Sequence, residues 1–172
     1  TPLLEGFFRH GRKQPVGSSG RLDETYIKIK GQWKYLYRVV DKAGQTVDFL
    51  LTAHHDKKAA LRFLKKAIGQ HGRPVKVTID QSEANTAALI ALNASTDADA
   101  HIEIRQRKYL NNLIEQDHRA VKRIVRPMLG FQTFRSARIT LQGIELMHMI
   151  KKGQMRHPQG LSAAHPFYSL AA

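Results

Sequence analysis

The sequence predicts one mixed α/β domain whose sheet opens with three antiparallel strands and is flanked by helices. Three observations carry this. Runs of strand character at 22–29, 33–40 and 47–52 follow one another with only short turns between them. Two further β-rich runs, at 75–79 and 101–105, alternate with helical patterns, as in a sheet with helices packed on it. A length of 172 residues supports one sizeable core and leaves little room for a second domain.

The elements follow in order. Residues 1–20 read as a lead-in, because 11–20 (GRKQPVGSSG) contains three glycines, a proline and two serines. Residues 22–29 (LDETYIKI) alternate apolar and polar side chains. Gly31-Gln32 signals a turn, 33–40 (WKYLYRVV) is aromatic and β-branched, 41–44 (DKAG) is a second turn, and 47–52 (VDFLLT) closes a meander. Asp56 is a helix N-cap, with Ala60, Phe63, Leu64, Ala67 and Ile68 on one face, and Gly69 and Gly72-Arg73-Pro74 stop that helix. Residues 75–79 (VKVTI) run directly into Asp80. Residues 84–92 read as a helix and 101–105 as a weak strand. Asn111 or Asn112 opens a helix that Pro127 breaks. The last helix spans about 133–152, with Phe134, Ala137, Leu141, Ile144 and Met147 as its apolar stripe. Residues 153–172 carry Gly153, Pro158, Gly160 and Pro166 and read as a tail. The expected organisation is therefore a lead-in over 1–20, a domain over 21–155 and a tail over 156–172.

Charge narrows the function. Lysine and arginine number 28 against 14 acids, a net +14, which calls for a polyanionic partner: nucleic acid first, an acidic membrane surface second. No apolar stretch approaches the length of a membrane-spanning helix. The absence of cysteine excludes disulfides, thiolate zinc sites and a cysteine nucleophile. The start, Thr1-Pro2-Leu3-Leu4-Glu5, has neither a methionine nor a signal pattern and reads as that of a fragment or processed product.

Three carboxylates stand out by position. Asp23 lies on the first strand, Asp80 at the C-terminal end of the fourth, and Glu115 in the first turns of a helix. Brought together, they would repel one another unless a hard divalent cation such as Mg²⁺ or Mn²⁺ neutralised them. In a basic domain that cluster reads as metal-dependent chemistry on a nucleic-acid backbone. Spacing alone leaves Asp80 and Glu83 as alternatives, and likewise Glu115 and Asp117. Glu24 faces the opposite side of its strand from Asp23 and is expected in solvent. His54, His55 and His118 lack a metal-ligand spacing and read as loop or surface histidines. Trp33, Tyr35 and Tyr37 could stack on bases but read first as core or a half-exposed sheet face. Residues 105–156 hold twelve lysines and arginines against three acids, a track for DNA phosphates that is indifferent to sequence.

Residues 21–31 (RLDETYIKIKG), 77–89 (VTIDQSEANTAAL) and 109–131 (YLNNLIEQDHRAVKRIVRPMLGF), with 33–68 and 134–155 between and after them, resemble the catalytic core of bacterial insertion-sequence transposases of the DDE type, the insertion-sequence-six family. The resemblance implies a ribonuclease H-like, integrase-type fold and a triad of Asp23, Asp80 and Glu115. The interval between the last two is 34 residues, and a lysine seven residues after the glutamate is matched by Lys122. Glu115 and Lys122 share a helix face, and Arg119 lies on that side as well. It further implies two Mg²⁺ ions, with Mn²⁺ as the substitute, held by the triad with Asp23 bridging. The phosphodiester at an element's end would be hydrolysed, and the freed 3′-hydroxyl transferred to target DNA. Lys122, Arg119, Arg123 and Arg126 would contact DNA. The partners implied are element ends, target DNA and further copies of the chain, as a dimer or higher assembly, with no membrane and a cytoplasmic, nucleoid-associated location. Relatives carry an upstream helix-turn-helix region that this sequence does not include, so a catalytically silent remnant that only binds DNA or pairs with an intact transposase is the alternative. Gly20 and Glu83 depart from the family pattern, which usually has tryptophan and glycine there.

Overall fold

The computed structural model describes residues 18–107 and 112–154. Most of the lead-in and the whole expected tail lie outside the described residues, as does Asn111. The elements are β1 (Ser19–Ile29), β2 (Gln32–Asp41), β3 (Thr46–Thr52), α1 (Lys57–His71), β4 (Lys76–Ile79), α2 (Glu83–Ala94), β5 (Glu103–Gln106), α3 (Asn112–Val125) and α4 (Phe134–Lys151), with single 3₁₀ turns at Ala98–Ala100 and Arg126–Met128. This is the expected order. β1 begins at Ser19, three residues before the alternation at 22–29, because Ser19, Gly20 and Arg21 pair with Lys76, Val77 and Thr78 of β4.

The sheet order is β3-β2-β1-β4-β5. β1, β2 and β3 form the antiparallel meander, and β4 and β5 join β1 in parallel. The meander is closed by local chemistry. Lys30 and Gly31 both take positive φ, 49° and 75°, as a two-residue hairpin turn requires. At the next corner Asp41 Oδ1 accepts the N–H groups of Ala43 and Gln45, each at 2.9 Å.

Both sheet faces are buried. Leu22, Tyr37, Val39, Val77 and Ile79 pack under α1 and α2 with Phe63, Leu64, Ala88 and Leu89. Ile27, Ile29, Leu36 and Leu51 pack on the other face with Val121 of α3 and Ala137, Leu141 and Ile144 of α4. The period-2 pattern of β1 thus serves two cores at once. The α1 start is capped as expected, Asp56 Oδ1 accepting the Ala59 N–H at 2.7 Å; on α4, Thr133 and Ser136 form a reciprocal capping box.

The stripe of α4 differs from expectation. Phe134 and Met147 are exposed, whereas Leu146, Met149, Ile150 and the charged Glu145 are buried. The cause lies on β2. Arg38 is fully buried and pairs with Glu145 and, at 2.9 Å, with Asp117 of α3. Lys152 joins Asp117 at 2.6 Å. The charged network draws Glu145 inward and fixes α3 and α4 against the sheet.

Candidate active site

The site lies along the part of β1 that has β2 antiparallel on one edge and, up to Arg21, β4 parallel on the other. The β1–β4 ladder ends where Arg21 pairs with Thr78. Asp23 follows two residues further along β1, and Asp80 stands just past the C-terminal end of β4, near enough for its charge to act on Asp23. Asp80 is fixed by its own turn, its Oδ1 accepting the Ser82 N–H at 3.0 Å just before α2 begins.

Asp23 is the most perturbed carboxyl in this region. Its side chain is 15% exposed, and Oδ1 accepts the Glu24 N–H at 2.9 Å. Burial foremost, then the charges of Glu24, Asp80 and Glu115, push its pKa up to about 7 against the lowering effect of that N–H. Asp23 therefore senses the charges of both Asp80 and Glu115. Among the described residues, however, no three acidic or histidine side chains are gathered into a ready-made cation cage. Glu115 is about half exposed on α3, with Arg119 Nη2 3.5 Å from its Oε2, the mutual pairing open to an i,i+4 couple. The donor set fits a hard divalent cation in its chemistry. It is oxygen only, mutually repelling, and contains a carboxyl whose raised pKa a cation would reverse.

Two sequence expectations are corrected here. His118 is buried rather than a surface histidine. It follows Ile114 and precedes Val121 on the inward stripe of α3, and its Nδ1 stands 3.6 Å from Asp23 Oδ2. Burial, then Arg38 and Lys122, push its pKa down to about 3, so the imidazole is neutral at ordinary pH. The spacing of Ile114, His118 and Val121 was the available signal. Glu24 does face away from Asp23, but it is not in solvent: His55 Nε2 lies 2.6 Å from Oε1, and Asn85 donates to Oε2 at 2.8 Å. His55 is a loop residue, as expected, and stacks on Tyr35 at 5.0 Å. A carboxylate can be buried on that face because α2 and the β3–α1 loop supply its partners.

The basic residues separate. Lys122, Arg123 and Arg126 are exposed along and just beyond α3. Lys122 and Arg126 line a hollow of about 640 Å³ with Tyr26, Lys28, Trp33 and Phe131. Lys152 is committed to Asp117 and the Gly44 carbonyl, and Arg138 faces the groove between β3, α1 and α4. The 105–156 run is therefore not one continuous stripe.

The comparisons with known proteins agree with this fold. A family model described as a DDE domain matches residues 17–154. A transposase for the insertion sequence-like element IS431mec of Staphylococcus aureus is 42% identical over 169 residues, covering 96% of this chain and 72% of the relative. The transposase of IS257 in transposon Tn4003, also from Staphylococcus aureus, matches to the same extent. Among solved structures, the catalytic core domain of BIV integrase superposes with a TM-score of 0.54 at 13% identity, covering 90% of this chain and 95% of that one.

Proposed function

Because this chain belongs to the DDE insertion-sequence transposases, we propose that it is a metal-dependent catalytic domain that cleaves and joins DNA strands during transposition, with Asp23, Asp80 and Glu115 as its catalytic and metal-holding residues. The observation that carries the reading is the raised pKa of Asp23, produced first by burial, then by the charge of Glu24, and with smaller contributions from Asp80, just past β4, and Glu115 of α3. A relative in fold, the HTLV-2 integrase catalytic core (TM-score 0.52, 17% identical, 69% of this chain and 75% of that one), is described in complex with magnesium.

Asp23, Asp80 and Glu115 would hold the divalent cations; when bound, these supply charge neutralisation at the attacking and leaving oxygens of an in-line phosphoryl transfer. The chain's own groups orient the rest. The Glu24 N–H fixes Asp23 Oδ1, and the Ser82 N–H fixes Asp80 Oδ1, so two carboxylates are held by backbone rather than by mobile side chains. Neutral His118 packs against Asp23 Oδ2 and excludes water from it without adding a competing charge. Lys122 and Arg126 bind phosphates flanking the reacting one, and Arg119 and Arg123 extend that contact along α3. In strand transfer a DNA 3′-hydroxyl attacks a target phosphodiester, the new P–O bond forms, and the target's own 3′-oxygen leaves.

The test is strand transfer of a pre-cleaved DNA end into plasmid with Mg²⁺. Activity that disappears in Asp80→Asn, with the variant still folded, supports the assignment. Full activity in Asp80→Asn rejects the site. DNA binding with no joining by the unaltered chain would leave the silent remnant as the better account.

A further inference from the structure

Tyr26 and Trp33 stand out because they are large aromatic side chains left in water on a well-formed hairpin, 51% and 60% exposed. The β1–β2 register sets Trp33 opposite Lys28 and Tyr26 opposite Tyr35, all on one face; Tyr35 packs against the core under α1 and α2, and Tyr26 and Trp33 are left exposed beyond it. The rings form a row. Tyr26 meets Trp33 edge-on with centroids 6.4 Å apart, Tyr35 lies 5.4 Å from Tyr26, and His55 stacks on Tyr35.

The edge of β1 beside this row is bare. β4 leaves β1 after Arg21, and among the described residues the next partner along that edge is Phe131, which exchanges backbone hydrogen bonds of 2.8 Å with Lys28 and Lys30. Gly130 makes this return possible: at φ 108° it approaches so closely that a Cβ would stand 3.1 Å from the Lys28 carbonyl oxygen. Tyr26 lines two hollows along this edge, one of about 620 Å³ shared with Asp80, Ser82 and Glu83 and the one shared with Trp33, Lys122 and Arg126. Cations flank the rings; Lys28 Nζ sits 6.0 Å over the Trp33 ring.

From this arrangement we infer that the outer β1–β2 hairpin is a stacking platform for unpaired bases of a DNA strand entering the Asp23–Asp80 site. The inference rests on the proposed function and deepens it. Exposed ring faces pair with bases whose own faces are free, which a base inside a duplex does not offer. Lys28, Lys122 and Arg126, set among the rings, suit the phosphates of the same strand. A second copy of the chain is disfavoured as the occupant, because it would bring the same cations against these.

Trp33 is the only tryptophan in the chain, so its emission reports on the platform directly. The whole chain, in EDTA to prevent chemistry, is titrated with a labelled blunt duplex and with the same duplex carrying a short 3′ overhang; label anisotropy gives affinity and Trp33 emission gives stacking. The overhang is expected to bind more tightly and to quench Trp33, and the blunt duplex to leave emission nearly unchanged. Trp33→Ala should weaken overhang binding about ten-fold or more and spare the blunt duplex, and Trp33→Phe should restore most of the loss. Lys122→Gln should lower the slope of log affinity against log salt by roughly 0.7. Overhang binding with unchanged emission, and unaltered in Trp33→Ala, overturns the platform and leaves the DNA-acting reading intact. No binding of either DNA defeats both. Emission that changes with protein concentration alone marks a self-association surface and also overturns the platform.

Discussion

Consider the pair Asp23 and His118 removed one at a time, as Asp23→Asn and His118→Gln, in the absence of divalent cations. Folded Asp23 titrates at about 7 against 3.8 for an unperturbed carboxyl, with burial the largest cause. Between those values the folded protein holds a proton that the unfolded chain has released. The stability it contributes is complete below pH 4 and is lost as pH rises to 7, a change of about 4 kcal/mol. His118 behaves oppositely. Its folded pKa of about 3 lies below the unperturbed 6.5, again chiefly through burial. Unfolding therefore takes up a proton, and stability rises by about 5 kcal/mol as pH climbs from 3 to 6.5. In the unaltered protein the two slopes oppose each other from about pH 4 to 6.5, and this pair contributes a nearly flat profile there. Asp23→Asn leaves His118 alone, so its stability should rise with pH relative to the parent; His118→Gln leaves Asp23 alone, so its stability should fall. Urea unfolding followed by far-ultraviolet circular dichroism, at intervals between pH 4 and 7 with EDTA present, measures both differences. If the parent-minus-variant differences are flat for both, burial does not shift these two groups in the way argued and the reasoning is wrong.

Two further outcomes follow from the same structure. Mg²⁺ should raise the melting temperature of the unaltered chain above neutral pH, by about 1.4 kcal/mol of stability at ten times its dissociation constant, and should have little effect on Asp80→Asn; calorimetry with and without EDTA decides it, and equal shifts in both proteins would refute Asp80 as a ligand. Arg38→Met should cost about 3–5 kcal/mol because it strands Glu145 in the interior and leaves Asp117 with Lys152 alone, and adding Glu145→Leu should recover part of that loss; denaturant midpoints showing plain additivity would refute the coupling.

Composition, turn chemistry and periodicity by themselves determined a good deal of this protein. The order of nine regular elements, the capping of α1 by Asp56, the break at Pro127 and the strongly basic balance are local or additive properties, and a local signal suffices for them. The motif resemblance supplied the family, which the comparisons bear out. The sheet order β3-β2-β1-β4-β5 and everything that depends on a partner came only with the tertiary structure. Periodicity states which side of a strand faces inward, but not what waits there. Glu24 reads as a solvent-exposed charge until α2 and the β3–α1 loop bring in Asn85 and His55, and only α3 and α4 bring Asp117 and Glu145 to the buried Arg38. His118 reads as a loop or surface residue until β1 sets Asp23 against it, and the choice for Trp33 between core and a half-exposed sheet face is made only by the fold, which leaves it 60% exposed. A charged or aromatic side chain has no fixed preference for inside or outside. Residues distant in the chain decide that preference by supplying, or withholding, the hydrogen bonds and apolar surface that make burial favourable.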